Sequence, residues 1–256
     1  MMAMGPGVVI GFDGSAASMR ALEWAAGEAG LRRVPLTVCH VREDAAAVDP
    51  ADAGLEDPVL ARGVALACSQ EWALHVVPRL VGGPPAAALL KASDGAEMLA
   101  AGTRGTGKWS WPGLGSVSEQ LASRAACPLL LVPDDGIWRS GPVVVGVDGA
   151  SSSQRVAGFA FDEAHLRHVP VLAVCWSPEP GEAERITMPW RCKYPDVAFC
   201  AVQAQEHPAA ALRARADIAS LLVVGARSDD DLPSMARGKV ADELLENAAH
   251  PIALVR

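Results

Sequence analysis

The chain of 256 residues is half hydrophobic and carries 22 basic against 30 acidic side chains, a formal net charge of −8. That balance disfavours a broad contact with nucleic acid or with an anionic membrane surface. The longest apolar runs, such as 128–133 (PLLLVP), are too short to span a bilayer, and no basic cluster precedes the first apolar run as a signal peptide requires; a cytoplasmic protein with no nucleic-acid or membrane partner is expected.

The first strand is predicted over 8–12. A helix from about Ser15 follows, in which Met19, Leu22, Ala26 and Ala29 recur at helical spacing. A second strand over 36–41 leads into an Ala/Asp/Pro-rich loop at 43–58 and a helix at 59–72. Beyond it the pattern predicts a strand near 75–80, a helix at 85–93, a strand at 98–101, a glycine-bearing loop, a helix at 116–126 and a strand at 129–132. Turn-forming residues at both ends of 134–142 (DDGIWRSGP) mark a join.

The same series then repeats. VVIGFDGSAAS at 8–18 lines up with VVVGVDGASSS at 143–153, and VPLTVCHV at 34–41 with VPVLAVCW at 169–176, both at a shift of 135. Farther on the shift is 123 (Gly102 to Gly225, Pro128 to Pro251), so the second copy is 12 residues shorter in its middle. The missing residues fall in or near its second helix, and 184–197, with two prolines, is expected to make a poor helix. Order and spacing predict an α/β fold of two tandem domains, 1–137 and 138–256. Each is expected to be a mainly parallel five-stranded sheet with helices on both faces.

The most informative stretch of the first copy reads Gly102-Thr103-Arg104-Gly105, nine residues, then Gly115-Ser116 at a helix start. Glycines after a strand let backbone N–H groups approach an anion. A serine at a helix start adds a hydroxyl to the positive end of the helix dipole. A second version, Gly225-Ala226-Arg227-Ser228, nine residues, Gly238-Lys239, lies downstream.

With V-x-x-G-x-D-G on the first strand of each half, and G-x-x-G-x9-G-S before the last helix of the first, each half resembles the universal stress protein family. The whole chain resembles its tandem two-domain members. The resemblance implies a five-stranded doubly wound fold and a division into members that bind ATP through the intact glycine motif and members that lack it. It implies that Asp13 and Val41 line the adenosine part of a pocket, and that Gly102, Gly105, Gly115, Ser116 and Ser118 hold the phosphates with Arg104 nearby. Open parallel sheets place ligands beyond the carboxyl ends of their strands, where Asp13, Val41 and Gly102 all fall. The alternative readings are structural: Asp13 as a turn or cap residue, Gly102 and Gly105 as a bend, Gly115-Ser116 as a plain helix start, Ser116 or Ser118 as its cap. Ala100 and Ala101 stand where the family usually has β-branched residues, and the spacer holds Trp109, Trp111 and Pro112.

The second copy looks disabled. Ser228 replaces Gly105, Lys239 replaces Ser116, and Trp176 replaces Val41 with a ring large enough to fill an adenine space. Asp229, Asp230 and Asp231 would repel phosphate. Other motifs fail. GTRGTGK at 102–108 is followed by Trp109 and not by the Ser or Thr that would ligate Mg²⁺. His165 and His168 sit one turn apart with no carboxylate in supporting register. The six cysteines show no C-x-x-C spacing, and nothing in the spacing of Cys192, Cys200 and His207 supports a metal.

No assembled catalytic machinery is found. The expectation is a non-enzymatic stress-response sensor whose first domain binds ATP, with Mg²⁺ as a candidate companion, and whose second domain is structural or binds a protein partner. The terminal strands, 129–132 and 252–256, are candidates for pairing within the chain or between copies. The alternative is a nucleotide-free protein-interaction scaffold.

Overall fold

A computed structural model of the chain describes residues 5–43, 55–70, 74–105, 114–135, 140–150, 152–177, 179–226, 238–246 and 249–256. The chain divides into two compact units, residues 1–136 and 137–256. Expectations that fall on Lys108, Trp109, Trp111, Pro112, Ser228 and the acidic run Asp229–Asp231 lie outside the described residues.

The first unit runs β1 (Val8–Gly11), α1 (Ala16–Arg32), β2 (Leu36–Arg42), α2 (Pro58–Cys68), β3 (Val76–Gly82), α3 (Pro85–Ala92), β4 (Met98–Gly102), α4 (Ser116–Arg124) and β5 (Leu129–Val132). Its strands lie in the order β3-β2-β1-β4-β5, every pair parallel. The chain builds outward from β1 to β3 and then crosses back to β4, so a crevice opens between the carboxyl ends of β1 and β4. Helices α1 and α2 pack together on one face of the sheet, and α3 and α4 on the other. Strand β4 forms despite its two alanines because β1 and β5 bond it on both sides and α1 covers it; Met98, Leu99, Ala100 and Ala101 are all buried.

Local chemistry sets the helix ends. Ser15 caps α1, its hydroxyl accepting the Ser18 N–H at 3.1 Å. Asp57 caps α2, Oδ1 accepting from Val59 N and Leu60 N at 3.0 Å each, with Pro58 at the first helical position. Helix α1 ends at Arg33, which adopts the left-handed conformation with φ 56°.

The second unit repeats the series as β6 (Val143–Val147), α5 (Ser153–Arg167), β7 (Val171–Cys175), α6 (Glu182–Lys193), β8 (Phe199–Gln203), α7 (Pro208–Ala216), β9 (Leu221–Gly225), α8 (Lys239–Glu246) and β10 (Ile252–Val255). Its strand order, β8-β7-β6-β9-β10, is again parallel throughout. Helix α5 ends as α1 does, at His168 with φ 55°, 135 residues beyond Arg33.

Helix α6 overturns the expectation of a poor helix at 184–197. Pro189 sits inside it and removes one backbone donor. Packing outweighs that loss: Ala183, Ile186 and Thr187 are buried, and the Trp190 ring lies on Gly158 of α5, where a Cβ would fall 2.8 Å from Cε2. Trp190 Nε1 also donates to Gln154 O at 2.9 Å. Intrinsic propensity is a weak prior once a helix has a face to bury.

Candidate functional site

The β1–α1 turn and the β4–α4 loop meet at the carboxyl end of the first unit's sheet. Asp13 follows β1 and divides its carboxylate between two neighbours. Oδ1 accepts the Ser15 N–H at 3.0 Å, closing an Asx-type turn, while Oδ2 faces Gly105, where an added Cβ would lie only 2.6 Å away. The turn reading of Asp13 therefore accounts for one oxygen, and the other lies against the glycine loop. Gly105 is needed bare for that approach.

Gly102 closes β4 for a different reason. A Cβ there would fall 2.6 Å from Ala17 Cβ and 2.9 Å from Ser18 N, so the glycine admits the start of α1. Gly115 is the N-cap of α4, and its N–H donates to Thr103 O at 2.8 Å. It lies against the loop, with Arg104 Cα 3.5 Å and Gly105 N 3.7 Å from the position of a Cβ. Residues 103–105 and the start of α4 thus lie side by side. No side chain caps α4. Ser116, at its first position, and Arg104, on the loop, are exposed. A helix start of this kind presents backbone N–H groups and a partial positive charge to an anion.

Ser118 lies in the first turn of α4. It is buried, and its hydroxyl donates to Gly102 O at 2.7 Å, tying α4 to the end of β4. That bond matches the structural reading of this serine, its hydroxyl being taken up by the backbone at the end of β4. Val41 is half-buried near the end of β2. It lies two residues beyond Cys39, the partner of Gly11, just as Asp13 lies two beyond Gly11.

Two residues that the sequence reading passed over adjoin the turn. His40 Nδ1 lies 2.8 Å from Phe12 O, and its Nε2 lies 3.8 Å from Asp57 Oδ1. The available signal was an imidazole within the mostly apolar strand β2, one residue before Val41. Beside it, burial pushes the Cys39 thiol up to about 11, the nearby Arg79 opposing weakly, so that thiol stays neutral and unreactive.

The equivalent place in the second unit is built differently. Asp148 Oδ1 accepts from both Ala150 N at 3.1 Å and the Ser153 hydroxyl at 2.7 Å. The Trp176 ring turns onto β6, where a Cβ on Gly146 would lie 2.9 Å from Cη2 and 3.2 Å from Leu212 Cδ1. A buried carboxylate, Glu182, stands over the turn, its Oε1 3.2 Å from a Cβ placed on Gly149, and pairs with Arg185. An open cavity of about 780 Å³ lies at the ends of β7 and β8 and is lined by Trp176, Ser177, Glu184, Gln203 and Glu206. Its acidic lining is unsuited to phosphate. Gly238 N bonds Ala226 O at 2.8 Å, as Gly115 bonds Thr103, but the helix it starts opens with Lys239.

His165 acquires a carboxylate that its own helix does not supply: Asp196 Oδ2 lies 2.7 Å from Nδ1, and this hydrogen bond holds the Asp196 carboxyl below its ordinary range. The expectation of no supporting carboxylate is thereby corrected. Among the described residues no three His, Cys, Asp or Glu side chains gather as metal ligands, and no described helix is long and apolar enough to cross a membrane.

The family model for the universal stress protein family matches residues 7–133. Universal stress protein Rv2623 of Mycobacterium tuberculosis is 32% identical over 292 aligned positions that cover 98% of this chain and 96% of that protein. Universal stress protein Rv2005c of the same organism is 34% identical over 98% of this chain and 97% of its own length. A crystal structure of a universal stress protein from Archaeoglobus fulgidus superposes with a TM-score of 0.75 at 18% identity, covering 98% of each chain, and so shares the fold. Full-length similarity to two-domain relatives, the repeated Val-x-x-Gly-x-Asp-Gly strand and a parallel five-stranded arrangement in each unit agree, and the chain belongs to the universal stress protein family.

Proposed function

We propose that the first unit binds an adenine nucleotide, ATP with Mg²⁺ as a candidate companion, and that the protein acts as a non-enzymatic cytoplasmic sensor. The observation that carries this reading is Asp13 Oδ2 standing 2.6 Å from where a Cβ on Gly105 would lie, beside the side-chain-uncapped start of α4. In this reading Asp13 and Val41 flank the adenosine, the backbone at Gly105 and Gly115 and the Ser116 hydroxyl approach the phosphates, and Arg104 supplies charge. Occupancy alters a surface that a protein partner reads. The second unit, with Trp176 and Glu182 around its turn, is structural or binds a partner. Any hydrolysis of ATP is slow and incidental.

Calorimetric titration with ATP, ADP and AMP, with and without Mg²⁺, tests the proposal. One nucleotide per chain is expected. Absence of both heat and thermal shift overturns it in favour of the nucleotide-free scaffold. That second reading draws on the structural explanations found for Gly102 and Ser118, both of which hold the loop without any ligand.

A further inference from the structure

We infer that His40 is a positioning residue for the Asp13 turn, an inference that rests on the nucleotide reading of that site. The Phe12 carbonyl can only accept a hydrogen bond, so its 2.8 Å contact requires His40 to carry a proton on Nδ1. That bond fixes the peptide joining Phe12 to Asp13 from outside the turn. The Phe12 N–H is fixed as well, donating to Cys39 O at 2.8 Å. Its ring is wedged against α2, where a Cβ on Gly63 would lie 2.7 Å from Cδ1. On the other side of the imidazole, Nε2 faces Asp57 Oδ1, the oxygen that caps α2. The His40 and Asp57 side chains are 14% and 10% exposed, so their places are set by packing.

The consequence falls on Asp13. Its Oδ2 must sit against Gly105 while Oδ1 holds the Ser15 N–H, which leaves little freedom for the preceding peptide. A rotation of that peptide would swing the carboxylate out of line with Val41. The second unit does not repeat this residue. At the shift of 135, His40 corresponds to Cys175 and Phe12 to Val147, and burial keeps the Cys175 thiol raised and neutral.

His40→Asn, His40→Gln and His40→Leu separate the roles. An Asn amide nitrogen takes the place of Nδ1 and retains the donor to Phe12 O; a Gln amide reaches the place of Nε2 and loses it. Each variant is titrated with ATP, followed by hydrogen–deuterium exchange over 12–18 and unfolded in urea. The Leu and Gln variants should bind ATP about fivefold more weakly, as for one lost hydrogen bond. They should also exchange faster over 12–18, while Asn stays near wild type. Equal behaviour of Asn and Gln, or wild-type exchange and affinity in the Leu variant, overturns the inference. Loss of both that tracks the urea midpoint across all three variants assigns His40 to folding and overturns it too. A wild-type chain that takes no ATP removes the nucleotide reading, and the exchange pattern alone then decides whether His40 positions the turn.

Discussion

The two turns that follow β1 and β6 share the sequence Asp-Gly and the same place in the sheet, yet they present different chemistry to the crevice. In the first unit one oxygen of Asp13 reaches across to Gly105, and His40 braces the turn from behind. In the second, the Ser153 hydroxyl and the Ala150 N–H both take Oδ1 of Asp148, Glu182 stands over the turn, and Trp176 covers β6. The same backbone turn can be kept while the groups around it change its polarity and its room. On the proposed reading, asymmetry of nucleotide binding is set by neighbours of the shared motif as much as by the motif.

The largest effect is expected where the loop meets the helix. Gly102→Val forces a branched side chain against Ala17 and Ser18 and should lower stability by about 3 kcal/mol, measured as a urea midpoint. Wild-type stability in that variant would remove the packing explanation for Gly102. In the second unit, Trp190→Ala withdraws the ring from Gly158 and the Nε1 bond to Gln154, and should cost about 2 kcal/mol with loss of helical circular dichroism as α6 loosens. An unchanged spectrum would mean that α6 stands on propensity alone.

A smaller, more selective effect is expected at the site. The clash of a Cβ at Gly105 is with the end of the Asp13 side chain, which can move aside. Gly105→Ala should therefore leave the urea midpoint nearly unchanged while weakening ATP about tenfold, or about 1.4 kcal/mol. Equal affinity in the variant would detach Asp13 from the nucleotide.

The smallest concerns Cys39. Its folded thiol titrates at about 11 against an ordinary value of 9.0, so on raising the pH the unfolded chain loses this proton first. Stability contributed by this group is full below pH 9 and falls as the pH rises from 9 through 11, by on the order of 1 kcal/mol at pH 10. Cys39→Ala should remove that slope in urea unfolding at pH 8 to 10.5.

The regular elements were legible because β1, β6 and β9 are runs of branched apolar residues and α1 opens on a serine cap. The repeat placed the second set by analogy with the first. What was not legible depended on contacts between distant residues. Trp190 makes α6 a helix through Gly158, 32 positions earlier, and the Asp196 carboxylate reaches His165 from beyond the following helix. The resemblance sets Ser118 among the phosphate ligands, and its hydrogen bond to the Gly102 carbonyl, between residues sixteen apart in the chain, leaves no mark in the sequence. His40 passed unnoticed because its partner is a backbone carbonyl, which no side-chain pattern records.

Helices α1 and α5 stop on Arg33 and His168, two unlike side chains in one left-handed shape that glycine would adopt at less cost. Around them the two copies read Leu-Arg-Arg-Val-Pro and Leu-Arg-His-Val-Pro, so the one position of the five that changed kept its unusual backbone angle. A bend that tolerates either side chain is held by its place between helix and strand, and swapping the residue leaves the path of the main chain untouched.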